Sequence, residues 1–397
     1  MDLAESEELV TFRSEVSAWL EANAPQKGGP DDFTIGRDRE FVEGCRRWQA
    51  TLFSGGWAGT CWPTEFGGQG RTALFDLAFK LEQSRFGVSG AAFDVGIGMV
   101  GPTLMVHGTA AQKERHLPSL LRGGEVWCQM FSEPGAGSDL AGLSTAARRR
   151  TGGWTVNGQK VWTSYARFAD FAILLARSDP ERPKHHGLTC FVLDMRTHGI
   201  EISPIPQMNG AAEFNQVFLT DVYIPDHAVI GEVDGGWAVA NTMLGSERGL
   251  AGDEWPGVPE LLDVARARGL TGDPLVRQNI ATTYVGQEIL RYLNLRVQSR
   301  LGQGEPIGAL ASIVNLFFAD HLRRTANIAA SLVGPEVLTA QAQIGLAGRW
   351  QFHLLTAPSV RIASGTDEIQ RNILGERALG LAREPRPGPP GPPGSPR

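Results

Sequence analysis

Residues 154–177, WTVNGQKVWTSYARFADFAILLAR, interrupt a chain that otherwise reads as helical. The two runs inside this stretch, WTVNGQKVWTS and FAILLAR, are rich in β-branched and aromatic residues, the composition of strands. Asn157-Gly158 is a strong short-range hairpin signal, so a turn is expected there. LTCFVLDM at 188–195 and NQVFLTDVYI at 215–224 extend the strand texture over about 129–231.

Outward from this segment the period changes. REFVEGCRRWQATLF (39–53) and TALFDLAFKLEQSRF (72–86) are helical in pattern, separated by Gly/Pro clusters such as WPTEFGGQG. Beyond GEVDGGW (231–237), long helical patterns return at 273–301 and 309–333. The order predicts an α+β multidomain chain: an N-terminal α-helical domain (1–128), a middle antiparallel, β-barrel-like domain (129–231) and a C-terminal four-helix-type domain (232–382). The closing REPRPGPPGPPGSPR (383–397) has almost nothing to bury and is expected to be a disordered tail.

Composition narrows the function. With 397 residues and a net charge of -6 without a basic stripe, nucleic acid is not an expected partner. Cys45, Cys61, Cys128 and Cys190 lie far apart, without a C-x-x-C pair, and read as buried thiols in a reducing compartment. The acidic N-terminus, with Leu9, Val10, Phe12, Val16, Trp19 and Leu20 spaced for one helix face, reads as a folded helix rather than a targeting signal. No apolar run approaches the roughly 18 residues of a membrane span, so a cytoplasmic protein without a membrane partner is expected.

Several chemistries fail on motif. No lysine follows a glycine, which removes a Walker A loop, and EPGAGSD (133–139) lacks the full G-x-G-x-x-G and βαβ context of a dinucleotide fold. His185 and His186, adjacent in RPKHHG, cannot share a helix face, and no metal site is assigned. RIASGTDEIQRN (361–372) reads as a loop entering a helix. Ser364 and Asp367 fit a capping box there, and the helix start is also able to receive an anion.

Four segments in order, CQMFSEPGAGSDL (128–140), NGQKVWTSYARFADFAILLARSD (157–179), GLTCFVLDM (187–195) and SGTDEIQRNILGERALGL (364–381), closely resemble the FAD-dependent acyl-CoA dehydrogenases. The resemblance covers nearly the whole chain to about residue 384. It implies an oxidoreductase that converts an acyl-CoA thioester to the trans-2-enoyl-CoA, with FAD as cofactor. Gln129, Phe131, Ser132, Gly137 and Ser138 then form the flavin edge, and Ser138 also lies beside the CoA thioester arm. Trp162 and Ser164 match the family's Trp-x-Thr, and Thr366 and Glu368 its Thr-x-Gln, both against FAD.

The resemblance also poses a problem. Many members carry the catalytic glutamate two residues before that Thr, where this chain has Ser364, too weak a base without an activating partner. A subset carries the base on another helix, at the position of Glu247 in NTMLGSERGLAGD, with Arg248 following. Glu247 is therefore the expected α-proton acceptor. Arg248, Ser364 and Gly365 join Ser138 as substrate contacts, the Ser364 N–H polarising the thioester oxygen.

The usual Arg-x-x-Phe-Gly segment, whose arginine reaches a neighbouring subunit's FAD, is replaced by TGDPLVRQNIATTY. Arg277 is the candidate substitute, and Asn315 stands where Lys is expected. Implied partners are an acyl-CoA, an electron-transfer flavoprotein, and further subunits as a homotetramer or dimer or as a heteromer with a paralogue. Two alternatives stay open: a flavin oxidase or dehydrogenase of a carrier-protein-tethered acyl group, and a non-catalytic partner subunit.

Overall fold

The computed structural model describes residues 6–34, 36, 38–247, 255–339 and 345–383, with the backbone alone at Glu247. The tail expected at 383–397 lies outside the described residues from 384 onward.

Five helices come first: α1 (Glu7–Asn23), α2 (Arg39–Ser54), α3 (Ala73–Gln83), α4 (Gly101–His107) and α5 (Ala110–Leu121), with a π-helical segment, Asp94–Val100, leading into α4. In α1, Ser6 caps the start by accepting from Leu9 N–H at 3.2 Å. Leu9, Phe12, Val16 and Leu20 are buried at helical spacing. Val10, expected on the same face, is exposed, because one residue is 100° of helix away from Leu9.

The middle of the chain is an eight-stranded sheet: β1 (Trp127–Met130), β2 (Ala146–Arg150), β3 (Gly153–Ser164), β4 (Phe171–Arg177), β5 (Leu188–Asp194), β6 (Ile200–Pro204), β7 (Phe214–Pro225) and β8 (Val229–Ile230). The strand order is β6-β7-β3-β2-β4-β5-β8, with β1 paired to β4. Most pairs are antiparallel as expected, while β1–β4 and β2–β4 run parallel, making the sheet mixed.

The hairpin expected at Asn157-Gly158 is elsewhere. Arg150 pairs with Gly153 across Thr151-Gly152, and Gly152 takes φ +75°, the left-handed conformation this two-residue turn requires. Asn157 and Gly158 sit inside β3, opposite a bulge in β7. Between the pairs Val156–Val222 and Gly158–Leu219, β7 advances one residue more than β3, and Asp221 adopts φ 50°. The Asn157 side chain bridges that bulge: its amide donates to Asp221 Oδ1 at 3.0 Å, and its oxygen accepts from Asp221 N–H at 2.9 Å. A Cβ on Gly158 would lie 2.4 Å from Thr145 Oγ1, so the glycine serves strand contact rather than a turn.

The chain finishes with α6 (Gly236–Glu247), α7 (Val258–Ala267), α8 (Pro274–Gly302), α9 (Leu310–Val333), α10 (Glu336–Thr339), α11 (Gly345–Val360) and α12 (Asp367–Ile373). One large core joins the first five helices to the sheet, through Phe12, Leu104 and Leu120 to Trp127, Leu174 and Phe191, and takes in Val239, Ala240 and Met243 of α6. The later helices hold a separate, smaller core around Leu261, Val264, Val276, Leu332 and Trp350. Asn209 stitches the sheet to α11 by donating to Thr356 Oγ1 at 2.9 Å.

Candidate active site

The polypeptide leaving β1 and the end of β3 form one edge. Val161 N–H donates to Ser132 C=O at 2.9 Å, joining the two segments beyond the sheet ladder. Next along the chain, Glu133 and Ala136 exchange backbone hydrogen bonds at 3.0 Å and close a tight turn around Pro134-Gly135. Among the described residues, a Cβ built on Gly135 or Gly137 meets nothing within 4 Å, so the outer side of this turn is open to them. Gly137 and Ser138 are exposed there, whereas Phe131 is buried.

Beneath the edge lies an ion pair. Lys160, 0 % exposed, donates from Nζ to Glu133 Oε1 and to Phe131 C=O, both at 2.9 Å. Glu133 also accepts from Thr145 N–H at 2.8 Å and from Ser144 N–H and hydroxyl at 2.7 and 2.8 Å. Burial raises the carboxyl's proton affinity, but Lys160 and these donors outweigh it and hold Glu133 down to about 2. Burial pushes the Lys160 ammonium down to about 8 despite Glu133. Neither residue stood out in the sequence; the available signal was a lysine inside a run otherwise read as a strand.

Trp162 is turned out of the sheet. From Lys160–Val217 to Thr163–Asn215, β3 spends three residues against two of β7, and the extra residue puts Trp162 in the left-handed region at φ 60°. Its indole is 58 % exposed and meets Phe214 edge-on at 6.0 Å. An exposed tryptophan on strained backbone is costly for an isolated chain and typical of a ligand-facing position. Ser164 follows, half-buried, at the strand end.

Polar atoms are left over along the same edge. Gln129 Nε2 and Thr163 Oγ1 are buried without a hydrogen-bond partner among the described residues. The N–H and hydroxyl of Ser132 also lack a protein acceptor there. Unpaired donors, an outward indole and an open glycine turn fit a flat heteroaromatic ring with polar edge atoms such as the isoalloxazine of FAD.

The remaining expected residues lie on the later helices. The helix cap is Thr366 rather than Ser364: its hydroxyl accepts from Ile369 N–H at 3.3 Å. The Ser364–Asp367 capping box is replaced by this cap: Ser364 sits at φ 55° in the preceding turn, Asp367 N–H donates to Arg361 C=O at 3.1 Å, and Arg361 Nε donates to Asp367 Oδ2 at 2.7 Å. Gln370 donates back to Ser364 C=O at 2.9 Å and to Gly365 C=O at 3.3 Å, pinning a turn in which both residues have positive φ. Glu368 is exposed, its carboxyl held low by its own backbone N–H and the Thr366 hydroxyl. Two carboxylates in the first turn leave α12 poorly suited to a phosphate.

Glu247 is the last residue of α6, a helix seated on β5 and α4, with His107 Nε2 and Thr242 Oγ1 2.8 Å apart. The Glu247 side chain and Arg248 lie outside the described residues. Among the described residues, a Cβ on Gly245 meets nothing within 4 Å. Arg277, near the start of α8, lines an open groove with Val258, Leu262, Val276, Ile280 and Tyr284, and Asn315 is half-buried in α9. His185 packs edge-on against Trp237 at 4.8 Å. Among the described residues, no cluster of three or more His, Cys, Asp or Glu side chains could hold a metal, and no helix is long and apolar enough to cross a membrane.

Comparison with known proteins matches the whole described architecture. Residues 6–124, 128–222 and 234–379 match the family descriptions "Acyl-CoA dehydrogenase, N-terminal domain", "middle domain" and "C-terminal domain". The chain is 35 % identical over 399 residues to "Acyl-CoA dehydrogenase IpdE1" of Mycolicibacterium smegmatis, covering 95 % of this chain and 99 % of that one. A solved structure described as "Tcur3481-Tcur3483 steroid ACAD" superposes with TM-score 0.82 at 29 % identity, over 97 % of this chain and 100 % of that one. The ChsE4-ChsE5 complex from Mycobacterium tuberculosis gives TM-score 0.79 at 27 % identity, again over 97 % and 100 %.

The chain belongs to the acyl-CoA dehydrogenase family. It is thereby an FAD-dependent oxidoreductase acting on acyl-CoA.

Proposed function

We propose that the chain dehydrogenates an acyl-CoA thioester to the trans-2-enoyl-CoA, with Glu247 as the α-proton acceptor. The observation that carries this reading is the edge at Ser132 and Trp162, which offers unpaired donors and an outward indole where a flavin fits. FAD, when bound, supplies the acceptor for the substrate's β-hydride. Glu247 takes the α-proton, its basicity raised by desolvation under the acyl chain. Ser364 N–H hydrogen-bonds the thioester oxygen as negative charge develops there. Gln370 supports that role by fixing the Ser364–Gly365 turn.

Gln129, Phe131, Ser132, Gly137, Ser138, Trp162 and Ser164 hold the ring, and Thr366 and Glu368 reach the rest of the dinucleotide. As an acceptor, the Glu368 carboxylate suits a ribose hydroxyl better than a phosphate. Ser138, Arg248, Ser364 and Gly365 contact the substrate. Kinship with a steroid ACAD supports a bulky, ring-bearing acyl group. Electron-transfer flavoprotein is the proposed electron acceptor, and a cytoplasmic location is proposed: Cys45, Cys128 and Cys190 are buried free thiols as expected, whereas Cys61, expected buried, is a free thiol at the surface.

Association with a further subunit is favoured by a specific observation. α8 leaves Tyr284, Val285, Ile289 and Tyr292 exposed, and the neighbouring groove of about 330 Å³ is mainly apolar. With the ChsE4-ChsE5 complex among the structures of the same fold, this supports a heteromer with a paralogue. Anaerobic titration of the purified protein with acyl-CoA thioesters tests the activity. Bleaching of the flavin by one class supports it, and a yellow protein that none bleaches argues against it. Glu247→Gln is expected to keep both ligands and lose at least about 100-fold in rate; unchanged turnover removes Glu247 as the base.

A further inference from the structure

Lys160 is fully buried and Glu133 nearly so, yet their bonds determine how the flavin edge faces. Across a trans peptide the carbonyl and the following N–H point in opposite directions. Drawing Phe131 C=O onto Lys160 Nζ at 2.9 Å therefore turns Ser132 N–H away from the ammonium, toward the side where it lacks a protein acceptor. The residue after Lys160 donates its N–H to Ser132 C=O, and the one after that is Trp162. Glu133 extends the fixation to a third segment by accepting from Ser144 and Thr145.

Stability alone gives little reason for such a pair. The carboxylate gains from its partners, but burial of the ammonium costs energy in the opposite sense, and buried ion pairs often break even against apolar replacements. What an apolar pair cannot do is hold a carbonyl and three further donors in fixed directions.

We propose that Lys160 and Glu133 are positioning residues for the flavin, clamping Phe131, Ser144 and Thr145 so that the Ser132 N–H and the Trp162 indole face the isoalloxazine ring. This rests on the reading of that edge as the flavin contact.

The test titrates apoprotein with FAD, following flavin fluorescence and the visible spectrum, for Lys160→Met, Lys160→Met/Glu133→Gln, Trp162→Ala and Arg13→Met. Arg13 pairs with buried Glu82 at 2.7 Å among the first helices, a control for losing an ion pair remote from the edge. Expected is at least about tenfold weaker FAD binding with a shifted flavin spectrum for Trp162→Ala and for the charge-neutral double variant. Arg13→Met should lower the melting temperature and leave FAD affinity unchanged.

A folded double variant with wild-type affinity and spectrum, beside a weakened Trp162→Ala, overturns the proposal and leaves the edge reading standing. Wild-type binding by Trp162→Ala as well overturns both. Should the double variant not fold, Glu133→Gln, close in shape with one charge removed, is read by the same outcomes.

Discussion

β4 and β5 each bury six of their seven residues, whereas the 29-residue α8 buries three, Val276, Thr283 and Gly286. The sheet and the early helices complete one core within the chain, while the later helices share a smaller one and leave apolar side chains in the open. The contrast teaches that self-sufficiency varies along one chain. Where strands are covered on both faces, local burial explains the sequence; along α8, the burial that would explain Val285, Ile289 and Tyr292 is absent among the described residues.

The largest expected effect probes the finished half. Leu174→Ala, at a fully buried position in β4, should cost about 2–5 kcal/mol in urea unfolding, independent of protein concentration. A concentration-dependent loss would mean that the sheet, too, leans on a neighbour. The open half is probed by Ile289→Asp on α8. If another subunit covers it, up to about 1.5–3 kcal/mol of association energy is lost, seen as dissociation in sedimentation with helix content retained. An unchanged assembly places the interface elsewhere.

Acid provides a third probe, confined to the sheet. Glu133 sits near 2 against an ordinary 4.5, so its contribution is complete above about pH 4.5 and is lost as pH falls toward 2. Melting curves of wild type and Glu133→Gln should converge over that interval, removing a difference of about 1–3 kcal/mol. A constant gap would argue that the carboxylate is not held low. The smallest effect is expected at Trp162. In apoprotein Trp162→Gly should stay within about 1 kcal/mol of wild type, since relief of left-handed strain offsets the added freedom of the unfolded chain. A loss of several kcal/mol would make Trp162 a core residue rather than a ligand-facing one.

The helix, sheet, helix order and the family segments were legible because long-range composition and period survive tertiary context. Local signals fared less well. Asn157-Gly158 has the chemistry of a turn, but β3 gains more from pairing with β7 on both sides of it, and the Asn157 side chain serves Asp221 instead. Ser364, held at φ 55° in the turn before the helix, yields the cap to Thr366, whose backbone is extended. Of the candidate site, the residues flanking β1 and β3 meet at one edge, but the Lys160–Glu133 pair beneath them was invisible, since 27 residues separate partners that only the fold brings together.

The extra residue that β3 carries between Lys160 and Thr163 works like a frame in reading. Side chains on a strand alternate, so Lys160 and Trp162 would share a face if the strand ran regularly. The insertion lets one strand send its lysine inward and, two residues later, its tryptophan outward. Shortening the segment by one residue keeps nearly every side chain yet exchanges their addresses. Such a deletion would do more harm than a conservative substitution there, because it moves every side chain beyond it to the opposite face.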